Sequence, residues 1–217
     1  MTRTHRLAAL AAVLAIAASI SAPLAAAQED DPILEFRRLE WESRASAFLA
    51  ERGALGKIPF HEPVYDVTFY DLSVRIDPAD SSLVGDVWVH AGSLVDTLER
   101  IDLDLIDSLT VDSVGGNGTA FTHANGLLTV ELDRLYTSGE SFAVRVYYGG
   151  EPRPFHRNGL IWKTHGSHPI VYTMVEPFFS NHWWPCKDVP WDKADSAEVT
   201  ITFPQGLAGV SNGAHIA

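Results

Sequence analysis

The residues of this sequence most suited to chemistry lie between positions 173 and 194. In that stretch Glu176 follows the apolar run 170–175, which is predicted to form a β-strand. A carboxylate beside apolar residues must be either solvated or paired with a cation, because an unpaired charge is costly to bury. Glu176 is therefore the candidate binding residue, since its carboxylate can accept a charge-assisted hydrogen bond from an ammonium group.

The same stretch holds the only cysteine, Cys186, and three of the six tryptophans. We expect Trp183, Trp184 and Trp191 to lie in the core and Cys186 to be a buried, inert thiol, as is usual for these residue types. The alternative is that the three tryptophans and Trp162 form an exposed aromatic platform that binds sugars or partner proteins. Burial of the tryptophans distinguishes the two hypotheses.

Two motifs resemble catalytic signatures, but neither has the complete pattern. Residues 61–65 begin like the zinc-peptidase motif H-E-x-x-H, yet Tyr65 replaces the second histidine and Pro63 indicates an extended entry into a strand. Residues 209–213 match the nucleophile elbow G-x-S-x-G around Ser211. An elbow needs a following helix, an acid and a histidine, so a turn after a strand is the favoured interpretation and an esterase is disfavoured.

A pair of histidines is the remaining candidate for metal binding. His165 and His168 could offer two imidazoles to a metal ion. No predicted strand or helix fixes their separation and no third ligand is evident, so we interpret them as loop histidines. The sequence predicts neither a catalytic residue nor a metal ligand within this chain.

The composition excludes several function classes. The 217 residues include 16 Lys+Arg against 28 Asp+Glu, giving a formal net charge of −12. Nucleic-acid binding is excluded as the main role, because phosphate contacts need a basic surface. The single cysteine excludes an intrachain disulfide and a cysteine-rich zinc module. The 46% hydrophobic and 20% charged residues are typical of a globular protein.

Residues 1–27 have the layout of a secretory signal peptide. Arg3 and Arg6 precede an apolar run from Leu7 to Ile20, and three alanines end at Ala27. The run is shorter than the roughly 18 residues that a membrane-spanning helix needs. We therefore expect export to the periplasm or the extracellular space, with no membrane span after cleavage of the signal. The alternative is that residues 1–27 form an uncleaved membrane anchor.

The remainder is predicted to form a helical leader, residues 28–62, followed by a β domain, residues 63–217. In the leader, residues 31–52 have a capping aspartate, a proline at the first helical position and apolar residues at near-helical spacing. After Pro63 the sequence alternates in short runs separated by turn residues, which indicates a largely antiparallel sheet or sandwich. The predicted strands cover residues 67–76, 84–90, 101–105, 110–114, 127–132, 142–148, 170–175, 197–203 and 207–210.

Two further expectations concern the second half of the chain. Residues 149–191 are rich in proline, histidine and tryptophan, and we interpret them as a long, mostly irregular segment lying over the sheet. The sequence ends at Ala217 soon after a predicted strand, so we expect the domain to lack its last strands.

The order of residues between 176 and 194 resembles the N-terminal domain of the aminopeptidase N family of zinc metallopeptidases. In that family a Thr-Gln-x-Glu stretch precedes Pro-Cys-x-Asp-x-Pro and a Lys-Ala pair. Here the matching residues are Glu176, Pro185-Cys186-Lys187-Asp188-Val189-Pro190 and Lys193-Ala194. The resemblance extends over about Val64–Gly213 and is specific in Glu176–Ala194.

The resemblance implies a mainly β, saddle-like sandwich domain with antiparallel or mixed sheets, which packs beside a thermolysin-like, zinc-binding catalytic domain of the same full-length chain. The family's residue that holds the free α-amino group of the substrate falls on Glu176. In the family, a glutamine two positions earlier helps line the pocket for the first side chain of the substrate. That position is Met174 here, so the sequence departs from the family pattern. It departs again at Asn181, where the family often has arginine.

The sequence therefore predicts a domain of an exported aminopeptidase that supports the catalytic domain and binds the amino terminus of a peptide substrate. Zinc is expected in the missing domain and not in this chain. Because the sequence has no H-E-x-x-H motif, it lacks the means to activate water, and we expect it to be inactive alone. The alternative remains a secreted, non-catalytic β-sandwich that binds carbohydrate or protein through exposed tryptophans.

Overall fold

The computed structural model of the chain describes Leu39, Ser46 and residues 63–176, 178–189 and 192–214. Leu39 and Ser46 are helical and exposed, whereas the other residues of the predicted helix 31–52 lie outside the described residues. The predicted signal peptide, residues 1–27, also lies outside them. The described residues from 63 onward belong to one compact unit, Arg44–Ala217.

The described part of the chain is mainly β, which confirms the predicted fold class. Beyond the ten strands, residues Ser180–His182 form a short 3-10 helix. The strands are β1 Tyr65–Asp77, β2 Ser82–Ser93, β3 Leu98–Asp104, β4 Leu109–Gly116, β5 Gly118–Ala124, β6 Leu127–Tyr136, β7 Ser141–Gly150, β8 Gly159–His165, β9 His168–Met174 and β10 Ser196–Thr202.

The strands form two larger sheets and one hairpin. The five-stranded sheet has the order β10-β1-β2-β7-β4 and is mixed, because β10 runs parallel to β1 while the other pairs are antiparallel. The three-stranded sheet has the antiparallel order β3-β6-β5, and β8 and β9 pair with each other. Antiparallel and mixed sheets were both expected from the sequence.

The core lies between the two larger sheets and follows from the alternation of apolar and polar residues. In β1, Leu72 and Val74 are buried while Ser73 and Arg75 are exposed. Side chains alternate between the faces of a strand, so each sheet turns one apolar face to the other. Fully or almost fully buried members of this core are Val87, Val89, Val144 and Val146 from the larger sheet and Ile101, Leu103, Leu128 and Val130 from the smaller one.

Two predicted features of the chain are wrong in detail, and one strand outside them was missed. Residues 149–191 are not one irregular segment, because they contain β8, which was not predicted, and β9, of which only part was. The predicted strand 207–210 is absent. Leu207 instead donates its backbone N–H to the oxygen of Pro204 at 3.4 Å, in a turn that follows β10. Strand β5 was also not predicted, since its few apolar residues give no clear alternation.

The turn between β6 and β7 is closed by a hydrogen-bonded carboxylate. Arg134 donates from Nη1 and Nη2 to the two oxygens of Glu140, each at 3.1 Å. Thr137 donates its backbone N–H to Glu140 Oε2 at 2.7 Å. These hydrogen bonds, first that from Arg134 and then those from Thr137, lower the pKa of Glu140 to about 2 from its ordinary 4.5. The turn that joins the two sheets therefore depends on an ionised Glu140.

We predict that Glu140 makes the stability of the chain sensitive to acid. A carboxylate with a lowered pKa stabilises the fold above its ordinary pKa of 4.5, and this contribution disappears as the pH falls through about 2. Glu140→Gln should be less stable than the wild type near neutral pH, and the difference should vanish at the acid end of that range. Urea unfolding as a function of pH measures the stability difference near neutral pH and its disappearance in acid. Glu99→Gln, at an exposed position in β3, is the control, and an equal acid response in both variants would contradict the prediction.

Candidate functional site

The candidate site is the segment between β9 and β10, residues 175–195, which we call the covering segment. Its centre is attached to the end of β3 by a short antiparallel bridge between Asp104 and Cys186. Asp104 N–H donates to the Cys186 oxygen at 2.7 Å, and Cys186 N–H donates to the Asp104 oxygen at 3.1 Å. Cys186 is 2% exposed, in agreement with the predicted buried thiol. The bridge satisfies backbone groups that burial would otherwise leave without partners.

Two buried aspartates extend this attachment. Asp104 Oδ2 accepts the backbone N–H of Asp188 at 3.0 Å, and Asp188 Oδ2 accepts the backbone N–H of Phe179 at 2.9 Å. Asp104 and Asp188 are 1% and 5% exposed. Phe179 has a φ of 83°, a left-handed conformation that is uncommon for a residue with a side chain. The Asp188 carboxylate therefore fixes the backbone three residues after Glu176.

The 3-10 helix packs against the start of β8 at a position that requires glycine. Gly159 has a φ of 97°, and a Cβ atom there would lie 2.7 Å from Cβ of His182. Both the conformation and the close approach favour glycine. Gly159 is also the strand partner of Met174, so the same contact positions the end of β9.

Lys187 provides a second attachment, to β1. Its ammonium Nζ donates to the Tyr65 oxygen at 2.7 Å, forms an ion pair with Asp192 and lies 4.2 Å from the centroid of the Tyr65 ring. Its backbone N–H donates to the Tyr70 hydroxyl at 3.1 Å. Lys187 is only 6% exposed, so its charge needs these partners. Sequence reasoning did not single out Lys187 or Asp192, because a charged residue in a loop gives no sign of burial.

Further carboxylates surround this lysine. The pKa of Asp66 in β1 is raised above its ordinary value by slight desolvation and then by the nearby carboxylates of Asp192 and Asp195, while Lys187 opposes the rise. The ammonium group of Lys187 thus reduces the repulsion within an acidic cluster. It holds the covering segment and β1 together at a point where the carboxylates alone would separate them.

The tryptophans of the covering segment pack inward. Trp183 and Trp184 are half-buried against the core, as is Trp162 in β8. The Trp184 ring meets the Tyr70 ring edge-on at a centroid distance of 4.6 Å, and the Tyr148 hydroxyl donates to the Trp183 oxygen at 2.8 Å. This packing agrees with the predicted core role for Trp183 and Trp184 and disfavours an exposed aromatic platform. Trp191 lies outside the described residues.

The two predicted substrate-binding residues lie at the exit of β9. Met174 is the last residue of the strand and is half-buried, and Glu176 is exposed two residues later. Within the described part of the chain, no side chain or backbone group forms a hydrogen bond or ion pair with the Glu176 carboxylate. Of the two states expected from the sequence, solvated or paired with a cation, the structure shows the solvated one. The carboxylate is chemically available to a cationic ligand.

The other candidate motifs have clear positions. Ser211 is exposed, and its hydroxyl donates to the Asn212 oxygen at 3.3 Å. Among the residues described, no histidine or carboxylate forms a hydrogen bond with this hydroxyl. His165 and His168 are not loop histidines without a fixed separation: they face each other as the last pair of the β8–β9 hairpin. The described residues contain no group of three or more side chains suited to hold a metal ion. They also contain no helix of the length and apolarity that crossing a membrane requires.

Comparison with known proteins gives similarity to solved structures only. No family model matches the sequence, and no curated protein matches it. The M1 zinc metallopeptidase from Deinococcus radiodurans is 29% identical, with a TM-score of 0.57, over 67% of this chain and 34% of that chain. A two-domain M1 zinc metallopeptidase mutant bound to L-arginine is 28% identical, with the same TM-score and coverage. A mutant of the Deinococcus radiodurans enzyme bound to a Tyr-Ser-Ala substrate is 26% identical, with a TM-score of 0.56, over 71% and 38% of the two chains.

These matches confirm the resemblance found in the sequence. The described fold is that of the N-terminal part of M1 zinc metallopeptidases, and this chain spans about a third of the length of the solved chains that it matches. This structural similarity supports a domain of an aminopeptidase-like protein.

We predict that the Lys187–Asp192 pair is essential to the position of the covering segment. Lys187→Met should reduce the free energy of unfolding by about 3 kcal/mol, because removal of the buried lysine leaves the mostly buried Asp192 carboxylate without its cation. Lys187→Met combined with Asp192→Asn should lose clearly less than the sum of the two single changes. Urea unfolding at neutral pH measures the cycle.

The control for this cycle is Lys163→Met, which changes an exposed lysine in β8 and should alter stability by less than about 0.5 kcal/mol. Strict additivity of the two changes at positions 187 and 192 would show that their charges are not coupled and would contradict the prediction.

Proposed function

Because the chain has the fold of the N-terminal part of M1 zinc metallopeptidases, we propose that it is the N-terminal domain of an exported, zinc-dependent aminopeptidase. It supports the catalytic domain and contributes Glu176 to recognition of the free α-amino group of a peptide. The observation that carries this proposal is the exposed Glu176 carboxylate, which lies between strand β9 and the buried Asp188–Phe179 attachment.

The chemistry of Glu176 suits the recognition of an amino terminus. An aminopeptidase must distinguish a terminal ammonium group from an internal peptide nitrogen, which is uncharged. A carboxylate accepts a charge-assisted hydrogen bond from the ammonium, worth about 1.5–3 kcal/mol. That energy corresponds to roughly a ten- to hundredfold preference for a free amino end. Glu176 thereby selects the amino end of the peptide substrate and not the substrate's amino-acid sequence.

Met174 is proposed to line the pocket for the first side chain of the substrate. It lies two residues before Glu176, at the end of β9, and is half-buried. The unbranched thioether side chain adapts to ligands of different shape and makes apolar contacts. At the position where the related family has glutamine, Met174 offers no amide to the substrate. This supports a pocket in which apolar contact replaces hydrogen bonding to the first side chain.

In this proposal the catalytic domain carries out hydrolysis, and this chain binds the amino end of the substrate. The catalytic zinc and the residues that activate water are assigned to the catalytic domain, as the similarity to M1 zinc metallopeptidases implies. The buried attachments at Asp104, Asp188 and Lys187 fix the backbone that follows Glu176 in the chain. A rigidly held carboxylate can be aligned with a substrate that the neighbouring domain binds.

Export is supported by the sequence of residues 1–27, with its basic start, apolar run and small residues before Gln28. With Cys186 as the only cysteine, the fold does not depend on disulfide formation in an oxidising compartment.

We predict that Glu176→Gln selectively weakens the binding of ligands with a free amine. In the full-length protein carrying the catalytic domain, kcat/KM for an aminoacyl anilide should fall roughly ten- to hundredfold. A competitive inhibitor with a free α-amino group should lose affinity by a similar factor, while its des-amino analogue should be unaffected. Steady-state kinetics and inhibition constants give both comparisons.

Glu151→Gln is the matched control, because Glu151 is also an exposed glutamate that follows a strand, here β7. This variant should leave kcat/KM for the anilide and the inhibition constants of both inhibitors unchanged. Equal loss for the amine and des-amino inhibitors, or no loss for either, would remove Glu176 from amine recognition.

A further inference from the structure

The tip of the β8–β9 hairpin brings two imidazoles together. The hairpin closes through the two-residue turn Gly166–Ser167, and the residues that flank the turn, His165 and His168, are direct partners in the strand register. Gly166 has a φ of 61°, and glycine at the first central position is typical of a tight hairpin turn. Direct partners in an antiparallel pair lie on the same face, with Cβ atoms about 4.5–5.5 Å apart.

We propose that His165 and His168 form a binding site for a divalent first-row transition-metal ion that prefers imidazole ligands, such as Cu²⁺ or Zn²⁺. Zinc binds a histidine nitrogen at about 2.0–2.1 Å, so one ion between the two rings can contact both at this spacing. The inference rests on the hairpin geometry alone and does not depend on the proposed function.

The two rings are available to a metal ion, unlike other histidines of the structure. His123 Nε2 lies 3.0 Å from the Leu105 oxygen, and His182 Nδ1 lies 2.8 Å from the Arg153 oxygen, so those nitrogens are already engaged. His165 and His168 are exposed, and neither imidazole side chain forms a hydrogen bond, ion pair or ring contact with another described residue. Both imidazoles can therefore turn a nitrogen toward a shared ion without losing an existing interaction.

The surrounding charge sets the expected strength of the site. The chain has a net charge of −12, which attracts cations over a distance. Lys163 opposes binding, because it lies two residues before His165 on the same face of β8. The described residues supply no third protein ligand, so water completes the coordination. Imidazole sites follow the usual order of divalent affinities, and Cu²⁺ should therefore bind more tightly than Zn²⁺.

Metal binding at this position would stabilise the paired state of the hairpin. A two-stranded hairpin is marginally stable by itself, and this one is supported on one face, where Leu160, Trp162 and Val171 pack against the core. An ion that bridges the two strands at the turn binds the paired state and not the opened one, so it shifts the equilibrium toward pairing. The strand stabilised in this way, β9, is the one that ends at Met174.

Titration with Cu²⁺ alone and with Zn²⁺ alone, each followed by calorimetry in a weakly coordinating buffer, tests the proposal. The chain should bind one ion that His165→Gln and His168→Gln each weaken by about tenfold or more. Ser167→His combined with His168→Ser keeps the number of histidines but moves the second imidazole into the turn, and it should lose the site as well. His156→Gln, at an exposed histidine outside the hairpin, should bind as the wild type does.

Two spectroscopic measurements complete the test. Electron paramagnetic resonance of the Cu²⁺ complex should show two imidazole nitrogens in the wild type and fewer in each single variant. Hydrogen exchange of the β8 and β9 amides should slow on addition of metal in the wild type only. Thermal unfolding without metal should be the same for all variants, which separates loss of the site from loss of the fold. Unchanged metal affinity in His165→Gln or His168→Gln would overturn the proposal. Retained metal binding in the double variant Ser167→His with His168→Ser would also overturn it.

Discussion

The covering segment depends on two buried carboxylates that accept hydrogen bonds from its backbone. Asp104 at the end of β3 binds the N–H of Asp188, and Asp188 binds the N–H of Phe179. A segment without regular strands has no ladder to satisfy its own backbone groups, yet its centre is buried. The two carboxylates, with the Asp104–Cys186 bridge, supply the partners that a sheet would otherwise give. These hydrogen bonds attach an irregular segment to the sandwich.

This constraint explains why the motif contains those residue types in that order. Cys186 is small and apolar enough to be buried beside the bridge, and Asp188 provides a buried side-chain oxygen that accepts the backbone N–H of Phe179. Between them Lys187 turns the opposite way, to Tyr65 and Asp192. Cys186 and Asp188 thus attach this stretch to β3, and Lys187 attaches it to β1. The two attachments together position the residues before and after the stretch.

The sequence predicted the parts of the structure that depend on local patterns. Strand β1 alternates over Val67–Ile76 and the turn residues after it are unambiguous, so its position was correct to within two residues. The β8–β9 hairpin was recognised only in part, because Gly159, Lys163 and the two histidines interrupt the apolar alternation. The hydrogen bond from Lys187 to Tyr65 could not be predicted, since those two residues lie 122 residues apart and nothing local specifies the contact. The ion pair with Asp192 is local, five residues along the chain, but nothing in the sequence shows that this lysine is buried. Glu176 was identified by motif order and by the cost of burying its charge, not by the geometry of its surroundings.

The exposure of Glu176 is consistent with a role that a second domain completes. Two unit charges 4 Å apart attract by about 1 kcal/mol in water but by about 4 kcal/mol at the effective dielectric constant near a protein surface. A solvated carboxylate on this domain alone would therefore hold an ammonium group only weakly. In the proposed arrangement the catalytic domain covers the exit of β9, excludes water and strengthens the same contact without moving the backbone, which the Asp188–Phe179 hydrogen bond already fixes. Under this proposal the fold provides the position of the carboxylate, and the catalytic domain that closes over it provides its strength as a binding group.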